Sequence, residues 1–147
     1  MRIVFASDHV GVDLRRALMD EASQLGHEVY DLGPDGTDPV DYPVYGARAG
    51  RAVAAGQAEA GVIICGTGVG ISLAANRVPG IRAAVCSEPY TAQLARRHND
   101  ANMLAVGARV VGPGLARLIL RSFLEAQFEG GRHARRVAML DDIPSVI

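Results

Sequence analysis

The sequence has no lysine and no tryptophan, only two cysteines, and 5% aromatic residues in 147. Each shortage excludes something. Without lysine there is no Schiff-base nucleophile and no phosphate-loop lysine, and all 15 cationic side chains are arginine. Cys65 and Cys86 fit neither a zinc nor a CxxC spacing, so each reads as a free thiol. An excess of one charge is also missing. The formal net charge is −1, which leaves no global field to attract nucleic acid or an anionic membrane. No apolar run approaches the roughly 18–20 residues of a membrane span. The opening MRIVFASDHVG turns polar too early for a secretory signal. The expected location is therefore the cytoplasm, and the expected organisation one domain, 1–147, with a sizeable core.

What is present is an alternation of short apolar runs and longer helical patterns. Strands are expected at Arg2–Ser7, His27–Leu32, Gly61–Cys65, Arg82–Ser87 and Asn102–Val106, with Arg109–Val111 a candidate extension of the last. Helices are expected from Val12 to about Leu25, then at Tyr42–Ala55, Ile71–Arg77, Pro89–His98, Pro113–Glu129 and Arg132–Asp142. Gly33–Asp41 and Gly66–Gly70 read as loops, and Pro144–Ile147 as a tail. This order predicts an α/β fold, a parallel sheet with helices on both faces. Ligands of such sheets collect beyond the carboxyl ends of the strands. Those ends lead into Ser7-Asp8-His9, Cys65-Gly66-Thr67-Gly68, Ser87-Glu88-Pro89 and Gly107-Ala108-Arg109.

Cys65-Gly66-Thr67-Gly68-Val69-Gly70 is the richest of these. Glycines turn the backbone sharply and leave N–H groups free to face an anion. A thiol beside the start of a helix is in a setting that favours thiolate. A thiolate next to amide donors is a base beside an oxyanion site, which is what enolisation requires. The competing reading is a buried strand cysteine followed by a plain turn. A dinucleotide fingerprint is a third reading, but the glycines lack the G-x-G-x-x-G spacing and follow the third strand rather than the first. Asp8 can cap a helix or bind sugar hydroxyls, and His9 can be merely exposed or bind phosphate. His98 falls at the end of a helix, where positive charge is favoured, so it is either part of a polar turn or a proton donor for ring opening. Arg132 and Arg136 share one helical face, as a phosphate clamp or a solvated basic face. Arg109, at a strand end, is a more local candidate for phosphate or hydroxyl contact. No His, Asp or Glu set has metal-ligand spacing, so no metal is expected, and no cofactor.

Taken in order, MRIVFASDHVG, DYPVYG, GVIICGTGVGISLAANR, IRAAVCSEPYTAQLARRHNDANMLAVGARVVG and EGGRHARRV resemble the ribose/galactose isomerase family, and within it the type B ribose-5-phosphate isomerases. The resemblance spans nearly the whole chain. It implies a three-layer α/β/α sandwich with a five-stranded parallel sheet, Rossmann-like. It also implies a homodimer, or a tetramer, with active sites shared between subunits. By the same resemblance Cys65 is the base that carries the proton between C1 and C2. Thr67 and the amides of Gly66, Thr67, Gly68, Val69 and Gly70 hold the enediolate oxygens. His98 is the ring-opening acid, with Asp8 assisting. Asn99 contacts the sugar, Tyr42 lies near it, and His9 and Arg109 help to bind substrate and phosphate. Arg132 and Arg136, on a C-terminal helix at about 132–142, reach the partner's phosphate. Some members use a Glu in the glycine-loop helix as base, but Ser72-Leu73 and their neighbours offer no carboxylate. The expected reaction interconverts ribose 5-phosphate and ribulose 5-phosphate. The alternatives are the same chemistry on a tetrose 4-phosphate or a hexose 6-phosphate, and a non-catalytic nucleotide-binding module.

Overall fold

A computed structural model describes residues 1–145. Its five strands are β1 Arg2–Ser7, β2 Glu28–Asp31, β3 Ala60–Cys65, β4 Ala83–Val85 and β5 Met103–Gly107. They pair in the order β2-β1-β3-β5-β4, and every pairing is parallel. The helices are α1 Val12–Gln24, α2 Tyr42–Ala54, α3 Val69–Asn76, α4 Pro89–Asn99, α5 Pro113–Glu125 and α6 Arg132–Asp141.

Alternation along the buried strands sorts side chains between two apolar layers. Ile3, Phe5, Val62, Ile64, Leu104 and Val106 pack with Leu18 of α1, Ala95 of α4 and Leu120 and Phe123 of α5. Val4, Ala6, Ile63, Cys65, Met103 and Ala105 pack with Ala49 and Val53 of α2 and Ile71 and Ala75 of α3. The result is the three-layer sandwich expected. The chain leaves β1 for β2 on one side and for β3 on the other. The carboxyl ends of β1 and β3 are therefore neighbours at the point where the strand order reverses.

Four elements differ from the expected ones by two residues or more at one end. α3 begins at Val69 rather than Ile71, because Gly68 serves as its N-cap and the last two residues of the glycine loop form its first turn. Arg109–Val111 does not extend β5: the Val110 and Val111 amides turn back to the Gly107 carbonyl at 3.0 and 3.1 Å. β4 is confined to Ala83–Val85. α5 stops at Glu125, and the connector to α6 is tied down where the Glu129 amide meets the Arg97 carbonyl at 3.0 Å. Of the expected tail, Ile143–Ser145 makes one 3-10 turn, and Val146 and Ile147 lie outside the described residues.

One buried cation holds the edge of the sheet. Arg15 of α1 is fully buried. Its Nη1 donates to Ser7 Oγ at 2.6 Å and its Nη2 to the Pro34 carbonyl at 2.5 Å, and its Nε lies 2.9 Å from Asp31 Oδ1. The planar fork thus joins β1, β2 and the loop after β2 in a way a lysine cannot copy. At the surface, the α-amino group of Met1 lies 3.1 Å from His27 Nδ1, and burial and that nearby positive charge hold the His27 ring below its ordinary pKa. Removing the buried fork leaves the fully buried Ser7 hydroxyl without its partner and breaks the tie to Asp31 and the Pro34 carbonyl. Arg15→Ala is therefore expected to lower unfolding free energy by about 2–4 kcal/mol, with Arg15→Lys recovering less than half of it. Urea denaturation followed by circular dichroism measures both.

Candidate active site

Beyond β1, Asp8 is buried and its Oδ1 accepts from the amides of Val10 and Gly11 at 2.9 and 3.2 Å. It caps the 3-10 turn His9–Gly11 that leads into α1. Asp8 also lines a cleft, so the capping role and the site role coincide. His9 accepts the Val40 amide on Nδ1 at 3.2 Å, which in the neutral ring leaves the proton on Nε2.

Beyond β3, the backbone turns sharply at Gly68, where φ is +80°. An added Cβ there would sit 3.0 Å from the backbone of Val106 and meet left-handed strain as well. Across the gap, a Cβ on Gly107 would fall 2.7 Å from the Thr67 carbonyl carbon. Two bare glycines therefore let the loop pass directly over the end of β5. In that position the Gly68 amide donates to Cys65 Sγ at 3.2 Å. Such a donor stabilises an anion more than a neutral group.

The amides of this loop do not all face outward. Gly68 N–H is directed to sulfur, and Val69 N–H to Thr67 Oγ1 at 3.3 Å. Two of the five amides of residues 66–70 thus have partners within the loop itself. The Gly70 amide, in the first turn of α3, has no intrahelical acceptor and remains a donor at the positive end of the helix.

Asp8, Tyr42, Cys65, Gly66, Thr67, Val69, Gly70 and Leu73 surround one cleft of about 450 Å³. The Tyr42 ring, from the start of α2, rests against the backbone of Gly70. Arg109 comes beside Gly66 because the Arg109 amide donates to the Gly66 carbonyl at 3.0 Å. A larger cleft of about 690 Å³ lies along α2, where Arg48 and Arg51 are its only ionisable side chains.

His98, Asn99, Arg132 and Arg136 are not among the residues lining the cleft of Cys65. His98 and Asn99 end α4, where Asp100 adopts a left-handed φ of 46° between Arg82 and Arg96. Arg132 and Arg136 are exposed on α6, whose adjoining face buries His133 and Val137. His133 in turn stacks on His98, with ring centroids 4.2 Å apart. Its pKa is lowered by burial, then by the charges of His98 and Arg132, against the opposing pull of Glu129. Glu129 is fixed by Arg97, whose Nε donates to Oε1 at 2.7 Å. Arg97, Glu129, His133 and Arg15 were absent from the expected site or core. Only the EGGRH context of His133 offered a signal, and it drew attention to the arginines instead.

The sequence matches the Ribose/Galactose Isomerase family over residues 3–140. The chain belongs to that family. It is accordingly an isomerase. It is 51% identical over 142 residues to the ribose-5-phosphate isomerase B of Escherichia coli K12, covering 97% of this chain and 95% of that one. It superposes on a Clostridium thermocellum ribose-5-phosphate isomerase B with TM-score 0.96 at 50% identity, covering 99% of both chains. The TM-score is 0.93 at 37% identity with a Mycoplasma genitalium ribose-5-phosphate isomerase B holding ribulose-5-phosphate, covering 99% of this chain and 97% of that one.

The two thiols separate clearly. Cys65 opens on the cleft, whereas Cys86 is buried in the other apolar layer, where burial and the charge of Glu88 push its pKa up to about 11. Cys86 therefore stays protonated through the neutral range. At pH 7.5, iodoacetamide is expected to label one thiol per folded chain, at Cys65, with Cys86 reacting only after unfolding. Peptide mass spectrometry reads the outcome.

Proposed function

We propose that this chain interconverts ribose 5-phosphate and ribulose 5-phosphate through an enediolate, with Cys65 as the base. The observation that carries this reading is the Gly68 amide 3.2 Å from Cys65 Sγ, in a cleft shared with Asp8 and Thr67. His98 protonates the ring oxygen while Asp8 draws the anomeric hydroxyl proton, which opens the furanose. The Cys65 thiolate then takes the proton from C2. The C2–H electron pair becomes the C1–C2 double bond, and the charge moves to O1, near Thr67 and the Gly66 and Gly70 amides. The O2 proton passes to O1, and as the C2=O2 double bond forms Cys65 returns its proton to C1, which gives the ketose with nothing gained or lost overall.

The cleft lacks an acid and a phosphate clamp of its own, and both belong to α4 and α6. We assign them to a second copy of the chain, whose His98, Asn99, Arg132 and Arg136 complete the cleft, with His9 and Arg109 on the near side. The exposed apolar side chains at the cleft, Tyr42, Val69 and Leu73, support burial against such a copy. A homodimer is the smallest assembly that satisfies this arrangement, and a tetramer made of two such dimers also does. Two unpaired thiols suit the reducing cytoplasm as its location.

Cys65→Ala should lower turnover by at least about 10²–10⁴-fold while leaving the binding of ribose 5-phosphate within a few-fold. Retained turnover removes Cys65 as the base. A panel of four-, five- and six-carbon sugar phosphates tests chain length, with the pentose expected to give the highest kcat/KM. Nucleotide binding without proton exchange into any sugar phosphate would favour the binding-module reading. Mixing inactive Cys65→Ala and His98→Asn chains under exchange should restore about one quarter of wild-type activity, because half the twofold dimers are then mixed and each has one intact site. No recovery would place both groups in one chain's site.

A further inference from the structure

Away from the thiol cleft, three ligating side chains converge from α4, the connector after α5, and α6. They are His98 at the end of α4, Glu129 in the connector after α5, and His133 in the first turn of α6. Glu129 Oε2 lies 3.6 Å from His98 Nε2 and 3.5 Å from His133 Nε2. Both separations are too long for hydrogen bonds. Three donor atoms thus face one another without bonding, all within 4.8 Å. Around a tetrahedral zinc ion with bonds of about 2.0–2.1 Å, neighbouring donor atoms stand about 3.3 Å apart. The two oxygen–nitrogen distances are within a few tenths of an ångström of that edge. Arg97 engages the other carboxylate oxygen, Oε1, and so turns Oε2 toward the imidazoles.

We propose that His98, Glu129 and His133 form a site for a divalent transition-metal ion, zinc in particular, and that its occupation switches the isomerase off by capturing His98. Two imidazoles and one carboxylate are an established zinc donor set, and the fourth position stays open to water. The rings are stacked with their planes 6° from parallel, so one ring must rotate well out of the stack before both in-plane lone pairs meet one ion. Arg97, Arg132 and Arg136 surround the cluster and oppose a cation, which places the affinity in the micromolar range rather than below it. The ion site stands on geometry alone. The switch rests also on the reading of His98 as the ring-opening acid.

The test is equilibrium dialysis of the metal-stripped full chain against zinc alone at pH 7.5. One ion per chain is expected, with a dissociation constant on the order of 1–10 µM, weakening as pH falls to 6 because protons compete for both imidazoles. Glu129→Gln and His133→Asn should each weaken binding by at least about tenfold, whereas Cys65→Ala should leave it unchanged. Glu129 is exposed, so its substitution tests the site even if the buried His133 does not tolerate change. Zinc at saturating concentration should abolish turnover of ribose 5-phosphate, and EDTA should restore it. Failure to bind by 100 µM, or binding indifferent to both substitutions, overturns the site. Stoichiometric binding without loss of turnover overturns the switch. Zinc binding by a protein that, metal-free, isomerises no sugar phosphate overturns the proposed reaction and leaves the ion site standing.

Discussion

The site depends on an amide hydrogen pointed at a sulfur. That contact exists only because the chain reverses at Gly68 with positive φ and because Gly107 leaves room for the loop to cross the end of β5. A side chain at either position would lift the loop away. Sulfur would then face a strand end without a donor, and the start of α3 would no longer adjoin it. The helix dipole, the free Gly70 amide and the hydroxyl of Thr67 are useful because this one turn brings them to the same side of Cys65.

The sheet supplies the rest. Cys65 and Ile64 are adjacent in sequence but face opposite layers, so the thiol belongs to the α2–α3 side while its neighbour fills the core under α1 and α5. Because β1 and β3 are neighbours, Asp8 arrives beside Cys65 without any long loop. Arg15 keeps that edge in register from below. Its fork reaches the last residue of β1, so the position of Asp8 is tied to a buried ion pair one turn into α1.

Much of this was legible in the sequence, and the reason is periodicity. Continuous apolar runs such as GVIIC mark strands covered on both faces, and the strand ends then locate Asp8, Cys65 and Arg109 by topology alone. Boundaries were less legible where tertiary contacts decide them. α3 starts early because Gly68 caps it, and α5 stops early because the connector bonds to Arg97. Groups joined only by folding were not legible at all. Nothing in the helical pattern of α1 marked Arg15 as a core residue. Glu129 and His133 meet His98 because α6 packs on α4, and nothing in the spacing of those residues announces it. Two imidazoles and a carboxylate stacked beside two exposed arginines make a compact unit of acid and cation that its own chain's cleft does not use.

The absence of lysine has a chemical consequence of its own. Isomerisation of an aldose exposes a free aldehyde, and aldehydes condense with primary amines. This surface offers no ε-amine, and the α-amino group of Met1 lies against His27. Guanidinium supplies the positive charge that phosphate recognition requires, yet it does not form imines with simple sugars. The protein can therefore work in a pool of reactive carbonyls with little risk of glycating itself.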